Sequence, residues 1–82
     1  MKLPRDIRGE ELARLLGHYG YRITRQTGSH IRLTSSQKGM EHPITIPAHK
    51  QVKIGILSAI LADVARYLEM DRQELTKGLF GG

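Results

Sequence analysis

The feature that most constrains the fold is a change of hydrophobic period at Gly20. Before it, Leu12, Leu15, Leu16 and Tyr19 recur at i, i+3, i+4 and i+7, the spacing that lines one face of a helix. After it, Tyr21 and Ile23 alternate with Arg22, Thr24 and Gln26, the period of a strand with one apolar and one wet face. The spacing predicts a helix over residues 9–19 that stops where glycine can take the left-handed conformation, with a strand starting at once. Glu10 and Glu11 fall in the first helical turn, where they complement the helix dipole.

Beyond Gly28-Ser29 a second alternation puts Ile31 and Leu33 on the core side and His30, Arg32 and Thr34 on the other, so the two strands read as a hairpin. This parity places His30 and Arg32 beside the cross-strand residues Thr24 and Gln26. Ser35 to Gly39 is a polar loop. Ile44 and Ile46 then alternate with Thr45 in a third strand bounded by Pro43 and Pro47, and prolines there mark an edge or short strand. Val52 to Leu68 reads as the best-buried helix, with Ile54, Leu57, Leu61, Val64 and Leu68 on one stripe and Ile56 and Ile60 widening it. Asp71 and Glu74 have the spacing of a capping box ahead of Leu75 and Leu79, which adds a short last helix. The order is α-β-β-β-α plus a short C-terminal helix. It implies an α+β fold, a three-stranded antiparallel sheet with helices packed on one face, and leaves the other face open. Residues 1–82 are expected to form one domain.

The chain has no cysteine, which removes disulfides and thiolate metal sites and suits a reducing compartment. No apolar run approaches the roughly 20 residues that span a bilayer, and the start from Met1 to Asp6 lacks a signal-peptide core, so the cytoplasm is the expected location. Thirteen Lys and Arg against eight Asp and Glu give a formal charge of +5. Such a surplus favours a polyanionic partner, nucleic acid first, although solubility alone can also account for it.

On the open face, an imidazole at His30 can give or take a proton near neutral pH. RNA cleavage asks for little more, because the substrate carries its own nucleophile in the 2′-hydroxyl. Gly28 lets a phosphate backbone come close and Ser29 can donate a hydrogen bond to it, with Arg32 alongside. An exposed turn histidine with no role fits the same spacing. His49, Lys50 and Lys53, before and at the start of the long helix, form either a phosphate platform or a solvated loop. His18 sits near the end of the first helix, where it favours the dipole. His42 shares the parity of Ile44 and Ile46 and is expected at the core margin. Parity therefore separates His42 from His30 and His49, and no carboxylate is paired with them in sequence, so no metal and no cofactor is expected. Two rivals stay open. The first is a non-catalytic RNA-binding module using the same sheet face. The second is a DNA-reading helix-turn-helix from Ile60 to Leu75, whose second helix would present Arg72, Gln73 and Lys77; there Asp71 and Glu74 oppose phosphate approach.

At these same residues the sequence resembles a known family. Gly9-Glu10-Glu11-Leu12, the hairpin Tyr21 to Arg32 with Gly28-Ser29-His30-Ile31, the strand Ile44-Thr45-Ile46-Pro47, and the helix opening Lys53-Ile54-Gly55-Ile56-Leu57 are similar to the HicA (YcfA-like) messenger-RNA interferase toxins. The resemblance covers nearly the whole chain. It implies a fold like the double-stranded-RNA-binding domain, an RNA endonuclease that stops translation, and a HicB antitoxin as partner. In that family the turn histidine is catalytic, and it falls on His30. The expected site is then His30 as general acid or base, Ser29 and Arg32 on the scissile phosphate with Gly28 giving it room, and Lys50 and Lys53 on flanking phosphates. The chain departs from the family pattern in two places. Arg8 stands where a serine-like helix cap is usual, which leaves the first turn to fray or to be capped by Asp6, and the chain runs on past Leu68 to Phe80.

Overall fold

A computed structural model describes residues 3–81, so Met1, Lys2 and Gly82, and with them part of the start read for a signal peptide, lie outside it. The described chain forms α1 (Gly9–Leu16), a 3-10 turn (Gly17–Tyr19), β1 (Arg22–Gln26), β2 (His30–Ser35), β3 (His42–Pro47), α2 (Ile54–Leu68) and α3 (Arg72–Phe80). The strands make one antiparallel sheet in the order β1-β2-β3, so β3, which takes in Pro43 and Pro47, is an edge, as the prolines implied. The architecture is α+β and is consistent with a double-stranded-RNA-binding-domain arrangement.

The helical stripe of α1 behaves as its period dictates: Leu12 and Leu16 are fully buried, and Gly20 ends the following turn at φ 93°. One core gathers Leu12, Leu16 and Tyr21, the inward residues Ile31, Leu33, Ile44 and Ile46 of the sheet, and Leu57, Leu61 and Val64 of α2. Leu75 and Leu79 of α3 join it, and Asp71 caps α3 by accepting hydrogen bonds from the Gln73 and Glu74 N–H groups.

The start of α1 departs from expectation. Neither Arg8, the N-cap, nor Asp6 caps it with a side chain. Instead the chain before the helix pairs with the segment before α2: Gly9 N–H donates to the Lys50 carbonyl (3.2 Å), Val52 N–H donates to Ile7 (2.8 Å), and Arg8 bridges Gln51. The backbone bridge satisfies the first N–H of the helix and fixes where it starts. Gly9 is pressed so tightly there that an added Cβ would lie 2.8 Å from the Pro47 carbonyl carbon and nearer still to its oxygen.

Four readings are corrected, three of them inward and one outward. Ile23 shares the face of its partner Leu33 but is 54% exposed, on the other edge of the sheet. Ile54 and Ile56 are 38% and 43% exposed; they lie in the first turn of α2, before Leu57, the first residue of the helix to sink into the core. Gln26 does not stand beside His30 on the open face. A bulge between Ile23 and Arg25 shifts the register, so Arg25 opposes Arg32 and Gln26 opposes the core residue Ile31.

Helix α2 ends at Leu68 with Glu69 in the left-handed conformation at φ 58°, a position glycine usually fills. Tyr67, in its last turn, reaches the loop between β2 and β3. Its hydroxyl is 2.5 Å from the Met40 carbonyl and 3.3 Å from that of Ser35, and it accepts the Lys38 N–H at 3.1 Å. No described helix is long and apolar enough to cross a membrane.

Candidate functional site

The open face of the sheet is built by alternation on its central strand. In β2, Ile31 and Leu33 go inward, which turns His30 and Arg32 outward. The hairpin tip is held by Thr27: its N–H donates to the His30 carbonyl at 2.9 Å, and its hydroxyl accepts the His30 N–H at 3.1 Å. Gly28 has no positive φ, and an added Cβ would meet nothing within 4 Å. Neither conformation nor packing demands glycine there.

The Ser29 hydroxyl lies 3.1 Å from His30 Nδ1. When Nδ1–H donates to it, Nε2 carries the lone pair, and Nε2 has no partner among the described residues. The ring borders a hollow of about 320 Å³ lined with Arg25, Thr27, Arg32 and Thr45. Arg32 has Arg25 across from it on β1 and Thr45 on β3. Neither guanidinium has a carboxylate within ion-pair distance among the described residues. The two arginines are thus a pair of uncompensated charges beside the histidine.

Lys50 and Lys53 do not line this hollow. Their loop adjoins the hairpin turn, where Ala48 N–H donates to the Ser29 carbonyl at 2.9 Å. Both are exposed and without a described ion-pair partner, and Lys53 supplies no side-chain cap, so the first N–H groups of α2 stay free. His49 is tied elsewhere: its Nδ1 is 3.0 Å from Glu10, and its carbonyl accepts from Arg8.

His42 sits at the core margin, as its parity implied, and its partners come from two further elements. Nδ1 lies 2.6 Å from the Tyr21 hydroxyl, Nε2 lies 3.2 Å from Asp63, and the ring stacks on Tyr67 with centroids 4.6 Å apart. Burial, then the charges of Tyr67 and Asp63, pushes the Tyr21 hydroxyl well above the ordinary tyrosine range. The cluster braces β3 against α2 and takes no part in the open face. Among the described residues, no group of three His, Asp or Glu side chains converges as metal ligands would.

Of the residues predicted from sequence, Gly28, Ser29, His30 and Arg32 come together, and Lys50 and Lys53 lie on the adjoining loop. Reasoning from alternation missed Arg25, which the bulge delivers to this face; three residues upstream of the turn and basic, it offered only its charge as a signal. Comparison with curated proteins and with solved structures gives no significant match. A family model described as the HicA toxin of bacterial toxin-antitoxin matches residues 9–65, from the first residue of α1 to the last buried turn of α2, and takes in every residue of the hairpin. The chain therefore belongs to the HicA toxins of bacterial toxin–antitoxin systems.

Proposed function

We propose that this toxin is a metal-independent endoribonuclease acting on messenger RNA in the cytoplasm, with His30 as its catalytic residue and a HicB-like protein as its antitoxin. The observation that carries the reading is His30 on the open sheet face, with Nδ1 held by Ser29, Nε2 free, and the unpaired Arg32 alongside.

In the step this arrangement supports, Nε2 takes the proton of a ribose 2′-hydroxyl, and that oxygen attacks the adjacent phosphorus. The bond from phosphorus to the 5′-oxygen breaks, the departing oxygen takes a proton from water, the hydroxide left behind takes the proton held on Nε2 and so restores neutral His30, and the products end in a 2′,3′-cyclic phosphate and a 5′-hydroxyl. Arg32 meets the charge that grows on the non-bridging oxygens. Ser29 accepts from Nδ1–H and donates its own hydrogen to the phosphate, so one hydroxyl sets the ring and touches the substrate. Gly28 leaves the backbone bare for close approach, which suits a glycine that the fold itself does not require. Lys50 and Lys53 bind flanking phosphates from the adjoining loop. Proton transfer of this kind contributes roughly 10²–10⁴-fold to rate.

Expression of wild type and His30→Ala in cells tests the reading. Growth arrest by the wild type alone, with both proteins folded, is expected; equal toxicity overturns the catalytic role. Cleavage of a purified labelled message that persists in excess chelator is expected as well. The uncompensated arginines would also serve a non-catalytic RNA-binding module, which would bind the message with a steep salt dependence and never shorten it.

A further inference from the structure

Resting on that reading, we infer that Arg25 forms a second phosphate subsite, holding the phosphodiester next to the scissile one on a single strand of RNA laid along β2.

Strict alternation would set Arg25 opposite Ile31 and turn it toward the core. The bulge adds Thr24 as an unpaired residue and moves Arg25 opposite Arg32 on the open face. The Thr24 hydroxyl secures the bulge, 2.9 Å from that of Thr34. The cost is a pair of like charges directly across the ladder, an arrangement that destabilises a sheet when nothing lies between them. No direct contact compensates it: among the described residues neither guanidinium has a hydrogen-bond partner or a carboxylate within ion-pair distance, Glu41 sharing a hollow with both without pairing to either, whereas the nearby Arg22 reaches the Ser36 hydroxyl. An anion between the two would.

The position identifies the anion. Arg25 and Arg32 line two adjoining hollows, one shared with His30 and one shared with Thr24, Thr34 and Glu41. They form the ridge between the hollows, one outward step along β2 from His30, or about 6.6 Å. A phosphodiester on the ridge would have its scissile neighbour at His30 and its nucleoside in the second hollow, where hydroxyls and the Glu41 carboxylate suit a sugar or base and repel a phosphate. Arg32 then touches both phosphates and Arg25 only the second.

The test compares the full chain with Arg25→Gln on two substrates. One is a dinucleotide with only the scissile phosphodiester; the other is a tetranucleotide whose central bond alone is cleavable, its other riboses being 2′-O-methylated. Arg25→Gln should lower kcat/KM for the tetranucleotide about tenfold, the scale of one charge-assisted contact, and leave the dinucleotide within about twofold. Equal losses on both substrates, or none, overturn the subsite. Binding of a fully 2′-O-methylated, uncleavable strand gives an independent reading. Arg25→Gln should make the slope of log K against log salt shallower by about 0.7, one phosphate contact on a single strand, and Arg25→Lys should restore it. An unchanged slope overturns the inference whether or not RNA is cleaved, and an equal Arg25-dependent slope on duplex RNA overturns the single-strand assignment. A wild type that cleaves neither substrate overturns the ribonuclease reading instead, with the binding slopes still deciding Arg25.

Discussion

Replacing Gly9 with alanine should destabilise the protein, although the same change at most helix positions does the opposite. Glycine at an ordinary helical site gives way to alanine with a gain of about 0.4–1 kcal/mol, because the unfolded chain has less freedom to lose. At Gly9 the new Cβ would press on the Pro47 carbonyl, 2.8 Å from its carbon, and stand 3.1 Å from the Ala48 carbonyl oxygen. Both obstacles are backbone, which cannot rotate aside as a side chain would. The strain therefore belongs at the upper end of the usual overpacking cost of about 1–3 kcal/mol, and after the entropic gain a net loss of about 2 kcal/mol remains. For a domain of this size such a loss lowers Tm by roughly 8–16 °C. Gly55, inside α2 with nothing within 4 Å of an added Cβ, is the matched control and should gain stability on Gly55→Ala. Thermal unfolding followed by circular dichroism reads both variants. A Tm for Gly9→Ala equal to or above wild type would refute the reasoning, as would an equal drop at Gly55.

Three further outcomes concern the core margin and the last helix. Tyr21→Phe removes the hydroxyl 2.6 Å from His42 Nδ1 and should cost about 1–3 kcal/mol in urea unfolding at neutral pH. Because burial, Tyr67 and Asp63 raise the folded Tyr21 pKa above its unfolded value of about 10, the unfolded chain loses that proton first. The stability it contributes is complete below pH 10 or so and is lost as pH rises toward the folded value; a wild-type midpoint that stays flat above pH 10, or falls no faster than that of Tyr21→Phe, contradicts this. Asp71→Ala strips the cap from the Gln73 and Glu74 N–H groups and should cost about 1 kcal/mol, seen as a lower urea midpoint; no change would mean that the core contacts of Leu75 and Leu79 alone hold α3.

Much of this is legible in the sequence, for identifiable reasons. The stripe of α1 and the stop at Gly20 are local signals, and both stand where the period put them. Parity placed His30 and Arg32 correctly because β2 is central and its alternation is imposed from beneath by Ile31 and Leu33. The same rule failed at Gln26 because it assumes an unbroken ladder, and no glycine in Arg22–Gln26 marks the bulge. The inward turn of His42 was readable, but its partners Tyr21 and Asp63 each lie 21 residues away, and only packing brings them together. The end of α2 carried no glycine because Glu69 itself takes the left-handed conformation.

The hydroxyl of Tyr67 has a consequence for how the protein opens. It engages the loop at Ser35, Lys38 and Met40 from a residue two positions beyond the end of the family match, so the connection between β2 and β3 is held by a helix end as well as by its own turn, in which Gly39 N–H donates to the Ser36 carbonyl. Fraying of that last helical turn would release the Lys38 N–H and the Ser35 and Met40 carbonyls together, coupling segments that stand 27 positions apart at Met40 and Tyr67. The tail beyond the matched region thus leads off the same helix end that holds this loop, and the residue after Met40, Glu41, borders the hollow of Arg25 and Arg32.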